Sequence, residues 1–330
     1  MKFKKSILFI ILVLLISCSQ KHNDNTTYTE EQNKLIQQLS YAQGEQDIDL
    51  WPRTISIQYK HRNWITGEKK TIQNTYTIQQ KPKKIIAQPV GIAEILYAIL
   101  PHERLIAFHN TIQDSNTSIL AKKIDNKNIF SSNQTEIVIK LQPDIVFVAS
   151  YTSHEFQKTL QQANIPLINV GEANTIPEIL QQISILGKIT GEQGNAQNLI
   201  QNIQNILQKY IVNSEKPVRV LSYTPFYKTV AGTHTTFDSI CQTLNIQNIA
   251  TQNNIEGFHR VEAEWILQQN PDILIVTTEQ EKKLIQNDIL LQQTNATKTN
   301  NIHAIPSQHL TPVSQYILLG IHDLYKIIYK

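Results

Sequence analysis

Residues 136–150 read EIVIKLQPDIVFVAS, and residues 264–278 read EWILQQNPDILIVTT. In both stretches a glutamate stands seven residues before a Pro-Asp pair, and a run of apolar and β-branched residues follows. A run without polar alternation indicates a strand covered on both faces, as in a parallel sheet. The segment before each Pro-Asp pair is predicted to be a short helix that ends at the proline.

Further strands and helices surround each copy of this repeat. They match in pairs along the chain, namely strands 83–89 and 218–225, helices 92–100 and 237–244, and strands 165–170 and 302–306. Strand and helix therefore alternate in each half, which predicts right-handed βαβ crossovers. The fold class expected is α/β, with two Rossmann-like lobes that each contain a parallel sheet.

The N-terminal lobe is predicted to cover residues 48–175, and the C-terminal lobe residues 214–330. Alternating residues at Thr54–Tyr59 and Thr71–Ile78, around a turn at Thr66-Gly67, predict that a β-hairpin leads the first lobe.

Residues 176–213 are predicted to be helices that link the lobes. The first begins at the capping box Thr175-Ile-Pro-Glu178. A second box at Thr190 predicts another helix that runs to about Val212, which at 1.5 Å per residue is roughly 30 Å long. That length is sufficient for a single long helix that connects the two lobes.

The amino terminus has the pattern of a lipoprotein signal peptide, predicted at residues 1–17. Basic residues precede a short apolar run, and Leu15-Ile16-Ser17-Cys18 resembles a bacterial lipobox. Cys18 is therefore the expected lipidation site, and residues 18–47 are expected to be a flexible tether. Cys241 is then the remaining thiol, and the apolar pattern around it favours a buried side chain over a catalytic one.

Length and composition exclude several classes of protein. A chain of 330 residues exceeds what one hydrophobic core usually serves, and 41% hydrophobic with 17% charged residues is typical of a globular protein. The net charge of +3 provides no basic surface for phosphate contacts, so a nucleic-acid partner is not expected.

The lipobox, the entry KPKKII at residues 81–86, the paired Glu-x6-Pro-Asp motifs and the linking helix together resemble class III periplasmic substrate-binding proteins of ABC importers. The resemblance covers about residues 50–330. It implies a non-enzymatic, monomeric protein without a resident cofactor or metal. It also implies that an iron chelate or tetrapyrrole binds between the lobes, and that an ABC permease dimer with its ATPase is the partner. The protein would lie in the cell envelope, attached to a membrane through its lipid anchor only.

Ligands of open α/β sheets bind at the carboxyl ends of the strands. The loops expected there contain aromatic, histidine and arginine side chains, which can stack on a chelate, ligate iron or pair with an anion. The candidate ligand-binding residues are His109, Tyr151, His154, Tyr223, Tyr227, His234, His259, Arg260 and His309.

The repeated glutamates, Glu136 and Glu264, are candidate docking residues. In the family that the chain resembles, surface glutamates at these two places contact arginines of the two permease subunits. An alternative is that each only favours the first turn of its helix through the macrodipole.

Four further alternatives remain open. Cobalamin is another ligand of the same class, and direct binding of a bare metal ion is disfavoured because the ten histidines are scattered. A lipid-anchored hydrolase lacks a recognisable nucleophile motif. A purely structural surface lipoprotein is the fourth alternative.

Overall fold

The computed structural model of the protein describes residues 27–45, 50–62, 69–124, 128–211 and 218–330. The expected signal peptide, Cys18 and the turn at Thr66-Gly67 lie outside these residues. Within them, no helix has both the length and the apolar character that crossing a bilayer requires.

Except in the first hairpin, the strands of the described residues are short. They are β1 (Arg53–Arg62), β2 (Lys69–Ile78), β3 (Ile85–Ala87), β4 (Leu105–His109), β5 (Asn128–Phe130), β6 (Ile145–Val148), β7 (Leu167–Asn169), β8 (Arg219–Thr224), β9 (Thr229–Ala231), β10 (Gln247–Asn248), β11 (Phe258–Arg260), β12 (Ile273–Val276) and β13 (Ile302–Ala304).

The helices are α1 (Glu30–Ser40), α2 (Val90–Ile99), α3 (Thr135–Leu141), α4 (His154–Gln162), α5 (Ile176–Thr190), α6 (Gln193–Leu207), α7 (Thr236–Thr243), α8 (Ile249–Gln252), α9 (Ala263–Gln269), α10 (Glu279–Asn287), α11 (Asn295–Lys298), α12 (Ser307–Leu310) and α13 (Ile317–Tyr329). Short 3-10 turns occupy His102–Arg104, Asn110–Gln113, Gln208–Tyr210 and Leu291–Gln293.

Two sheets confirm the two-lobed α/β fold. The N-terminal sheet has the order β5-β4-β3-β6-β7, and all its strands are parallel. In the C-terminal sheet β8, β10, β12 and β13 are parallel, in agreement with the repeat. The four residues of β6 and of β12 are all buried, as their lack of polar alternation predicts.

The C-terminal sheet is mixed, which corrects the expectation of a purely parallel sheet. Its order is β11-β9-β8-β12-β13, and both β9 and β11 run antiparallel to their neighbours. Each of these two strands has only three residues, too few to show an alternating pattern in the sequence.

The structure explains why Pro-Asp recurs. Helices α3 and α9 each end at a residue with positive φ, Gln142 and Asn270, and the Asp after the proline then binds the start of the lobe's central strand. Asp144 accepts hydrogen bonds from the backbone N–H groups of Lys83 and Lys84 at 2.6 and 2.9 Å. Asp272 accepts one from the N–H of Arg219 at 3.2 Å.

The linking region differs in detail from the expectation. Helix α5 has the predicted capping box at Thr175 and Glu178. The second box is wrong, because the Thr190 hydroxyl donates to the Leu186 carbonyl at 2.8 Å and Gly191 ends the helix with φ +72°. Helix α6 begins only at Gln193 and ends at Leu207, so the second linking helix has 15 residues, as α5 has, and is shorter than predicted.

Both linking helices contact both lobes. The first N–H of α5, at Ile176, donates to Ser239 of α7 at 3.0 Å, and the carbonyl at its other end accepts from Arg104. After α6, the Tyr210 hydroxyl contacts His322 of α13 at 2.9 Å, while Asn195 at its start donates to the carbonyl of Ile99. One apolar cluster accordingly runs through both lobes.

Residues 30–40 correct the prediction of a flexible tether over residues 18–47. They form α1, which begins at a capping box between Thr29 and Gln32. The helix buries Leu35, Ile36 and Leu39 in the shared apolar cluster. Burial of these three side chains favours the helix, because hydrophobic contact offsets the entropy of ordering the chain.

A buried carboxyl group joins the N-terminal lobe to the segment before α13. Glu94 of α2 accepts hydrogen bonds from the hydroxyls of Ser118 and Ser314 at 2.7 and 2.6 Å, and from the N–H of Ile119 at 3.2 Å. Burial nevertheless raises its pKa to about 7, and Tyr28 and Tyr316 are its ionisable neighbours.

The wild type is expected to lose stability as pH rises from about 4.5 to about 7, and Glu94→Gln is expected to abolish most of this loss. In this window the unfolded chain has lost the proton that the folded protein keeps. The free energy of unfolding therefore falls with rising pH, by about 3 kcal/mol. Urea unfolding at about pH 5 and about pH 8 measures the change. An unchanged pH dependence in Glu94→Gln would contradict this assignment, and the exposed Glu136→Gln is the control.

Candidate ligand-binding site

On the N-terminal lobe, the loop after β6 presents an exposed aromatic side chain. Tyr151 is 54% exposed, and it follows Ser150, whose hydroxyl donates to Glu172. Desolvation by the protein around it raises the pKa of the Tyr151 phenol, and the carboxylate of Glu172 adds to the shift. A large aromatic ring left in contact with water where a strand ends is a candidate for contact with a ligand.

On the C-terminal lobe, the loop after β8 and the edge strand β11 carry three more exposed rings. Phe226 is 56% exposed, Tyr227 38% and Phe258 58%. Large aromatic side chains left in contact with water mark binding surfaces when they cluster. Phe226 and Tyr227 lie at the carboxyl end of β8, where ligands of α/β sheets bind.

Polar candidates accompany these rings. His154 is the first residue of α4 and is exposed. The Arg260 side chain on β11 is 69% exposed, with its Nε 4.0 Å from a Glu262 oxygen. His234 has φ +58° and is exposed, and its Nδ1 lies 3.6 Å from Glu256. Phe258, His259 and Arg260 form strand β11, not the loop expected from the sequence.

A cavity of about 550 Å³ lies beside β11 and α9. His259 and Arg260 line it together with Trp265 and the candidate docking residue Glu264. The ligand and docking candidates of the C-terminal lobe therefore occupy adjoining surfaces.

His109 is buried at the end of β4, which contradicts its expected exposure in a cleft loop. Its Nδ1 contacts the Thr111 hydroxyl and its Nε2 the Ser132 hydroxyl, both at 2.9 Å. Burial lowers the pKa of this histidine. Because both ring nitrogens already have partners, the side chain fastens β4 to the following turns.

Tyr223 and His309 are also buried, and their expected place in cleft loops is wrong. Tyr223 lies within β8, where burial raises its pKa to about 12. His309 lies in α12 beneath α13, with its Nδ1 2.6 Å from Asp323 and its ring stacked on Tyr28. Residue type and distance from a strand do not reveal which loop side chains pack inward.

Three further predictions concern the thiol of Cys241, a bound metal ion and the lipidation of Cys18. Cys241 is buried, and burial raises the pKa of its thiol, as expected for a structural side chain. Among the described residues, no three His, Cys, Asp or Glu side chains converge as metal ligands would. The proposed lipidation of Cys18 lies outside those residues.

The two candidate docking glutamates occupy equivalent positions. Glu136 and Glu264 are each the second residue of a seven-residue helix, α3 or α9. Both are exposed. The internal repeat thus places one surface carboxylate on each lobe.

Residues 85–309 of the chain match the sequence model of the family Periplasmic binding protein. The chain belongs to this family. That finding confirms the resemblance to class III periplasmic substrate-binding proteins, and with it the role of a solute-binding protein. The family match begins at β3 and ends within α12, so α1, the β1–β2 hairpin and α13 lie outside it.

Individual periplasmic binding proteins are similar over most of their length. The uncharacterized ABC transporter substrate-binding lipoprotein YvrC of Bacillus subtilis is 23% identical over 267 residues, which are 77% of this chain and 82% of YvrC. A possible iron-binding periplasmic solute-binding protein of Staphylococcus epidermidis superposes with a TM-score of 0.67 at 22% identity, covering 76% of this chain and all of that one.

The periplasmic haem-binding protein HutB of Vibrio cholerae superposes with a TM-score of 0.65 at 20% identity, covering 75% of this chain and 99% of that one. At these identities the solved structures establish the shared fold.

Proposed function

We propose that the protein is a lipid-anchored solute-binding protein that captures an iron complex, a ferric siderophore or haem, between its lobes. It delivers this complex to the permease of an ABC importer, which an ATPase drives. The observation that carries the proposal is a set of exposed aromatic rings on both lobes, Tyr151 after β6 on one and Phe226, Tyr227 and Phe258 after β8 and on β11 of the other.

Exposed rings on both lobes suit a flat or aromatic ligand. Aromatic faces stack on tetrapyrroles and catecholates, and the exposed guanidinium of Arg260 can pair with an anionic chelate. His154, His234 and His259 are exposed and can approach iron in such a complex. The solved haem-binding and iron-binding relatives have the same fold, which supports this ligand class.

The envelope location rests on the amino terminus and on one relative. Leu15-Ile16-Ser17-Cys18 has the lipobox pattern, and YvrC is named a substrate-binding lipoprotein of an ABC transporter. A lipid on Cys18 would keep the protein beside its permease in the cell envelope.

The triple variant Tyr151→Ala, Tyr227→Ala, Phe258→Ala is expected to bind haemin roughly 100-fold more weakly than the wild type. Each stacked ring contributes on the order of 1 kcal/mol beyond its buried area, and a tenfold change in affinity corresponds to about 1.4 kcal/mol. Titration of the haemin absorbance band, together with tryptophan quenching, measures the dissociation constants.

Tyr41→Ala is the matched control, because Tyr41 is 61% exposed and lies after α1. A triple variant within about threefold of wild-type affinity would place the haemin site elsewhere. Native mass spectrometry of protein purified from its own cells then identifies the bound chelate, and cobalamin in place of an iron complex would correct the ligand class.

A further inference from the structure

The β1–β2 hairpin is an addition to the matched family core. Its two strands pair over ten residues each, from Arg53 opposite Ile78 to Arg62 opposite Lys69. Ile55, Ile57 and Tyr59 alternate with exposed polar residues, so one face is turned to the protein. Thr54 and Ser56 on the outer face contact threonines across the strand pair.

Two tyrosines attach the hairpin to the carboxyl end of the N-terminal sheet. The hydroxyl of Tyr76 accepts a hydrogen bond from the backbone N–H of Asn169, the last residue of β7, at 3.1 Å. Tyr59 lies against Gly171, where φ is +75° and an added Cβ would come within 2.4 Å of the Tyr59 ring. Gly171 therefore permits the close approach of the hairpin.

The hairpin also borders the N-terminal loops of the candidate ligand site. Glu172, next to Gly171, accepts a hydrogen bond from the Ser150 hydroxyl, and its negative charge helps to raise the pKa of both Tyr59 and Tyr151. One carboxylate thus lies close to a hairpin ring and to an exposed ring of the site.

The far end of the hairpin contacts the other lobe. Lys69 Nζ, at the start of β2, lies 2.6 Å from Glu256 Oε1. Glu256 belongs to the C-terminal lobe, where its backbone pairs with Thr233 in an isolated β-bridge, two residues before Phe258. His234 contacts the same carboxylate oxygen at 3.6 Å.

We propose that the β1–β2 hairpin forms a third wall of the ligand cleft, held across both lobes by the Lys69–Glu256 ion pair. The wall limits the directions from which a ligand reaches Tyr151 and Phe258. This inference rests on the proposed function in one respect, since it assigns the wall to the same cleft. The bridge between hairpin and C-terminal lobe is independent of any ligand.

Charge reversal tests the bridge in ligand-free protein. Lys69→Glu and Glu256→Lys each place like charges together, and the double variant Lys69→Glu with Glu256→Lys restores attraction. In each single variant, amide hydrogen exchange at Tyr59–Arg62 and Lys69–Ile72 is expected to accelerate about threefold to tenfold, because an exposed pair contributes modestly. The double variant returns toward the wild-type rate.

Gln73→Glu is the control, since it adds charge to the exposed outer face of β2. Unchanged exchange in both single variants overturns the bridge and with it the proposal.

Stopped-flow mixing with haemin tests the wall. The single variants are expected to show association and dissociation rate constants that are both about threefold or more above those of the wild type, and the double variant is expected to reverse the change. Faster amide exchange with unaltered haemin rates would show that the hairpin bridges the lobes without lining the cleft, which overturns the wall. If wild-type protein does not bind haemin, the ligand class of the proposed function fails, and the exchange data alone decide the bridge.

Discussion

Replacing Glu136 and Glu264 together by arginine is expected to abolish uptake of the cognate complex in cells that depend on this importer. The two carboxylates are exposed at equivalent places on α3 and α9, one on each lobe. A protein with this internal symmetry can present the same charge to both halves of a permease dimer, and charge reversal turns two attractive contacts into repulsive ones. Growth on the iron complex as sole iron source, with radiolabelled iron uptake, measures the effect.

The melting curve of the same double variant is expected to stay close to wild type, because both side chains are exposed. Because Glu264 lines the cavity beside His259 and Arg260, haemin affinity is compared in Glu136→Arg alone, where it is expected to be unchanged. The matched control is Glu30→Arg with Glu279→Arg, which reverses two exposed first-turn glutamates of the helices α1 and α10 elsewhere on the surface. This control isolates the helix macrodipole, whose effect at such positions is about 0.3 to 1 kcal/mol. Normal uptake in the Glu136 and Glu264 variant would remove these residues from the docking surface, and so would equal loss in the control.

Leu39→Ala is expected to lower the free energy of unfolding by about 2 to 5 kcal/mol. Leu39 is fully buried on α1, within the apolar cluster that runs through both lobes. Truncation removes its apolar contacts and leaves a cavity that the surrounding helices fill only in part. Urea or thermal unfolding of the lipid-free protein measures the change.

Leu50→Ala makes the same substitution at a side chain that is 70% exposed, and it is expected to change stability by less than about 0.5 kcal/mol. Equal, small effects of the two substitutions would mean that α1 contributes nothing to the folded body.

The repeated part of the fold could be predicted because its strands are buried on both faces. Such strands have apolar runs, as at Ile145–Val148 and Ile273–Val276, and the Pro-Asp pair marks where each begins. Strands β9 and β11 escaped prediction because three residues carry no measurable period. For α1 a usable signal was present, since Thr29 and Gln32 form a capping box ahead of Leu35, Ile36 and Leu39.

The candidate site was predictable only in part. Tyr151 and Tyr227 are exposed after β6 and β8, where the ends of strands predicted them. Arg260 is exposed too, but it lies on strand β11 and not in the predicted loop. His109 and His309 follow strands in the same way, yet their hydrogen-bond partners draw them into the core. A single sequence gives the residue type in a loop but not the partner, because the partners lie far apart in the chain or depend on the path of the loop.

The hairpin's place beside the site could not be read from the sequence either. The hairpin contacts the C-terminal lobe through the ion pair of Lys69 with Glu256, and no sequence pattern within the hairpin predicts Glu256 as the partner.

The packing of α1 against α13 has a consequence for the order of folding. Gln32 donates to Asp323 across 291 residues of sequence, and Ser40 contacts Tyr316 across 276. Helix α1 therefore lacks these two partners until the C-terminal segment has been synthesised. Contacts of such long sequence separation form late and slow the search for the native state. Until α13 is present, α1 can pack against α2 and α6 but not against α13, so its apolar face is incompletely covered for the whole of that interval.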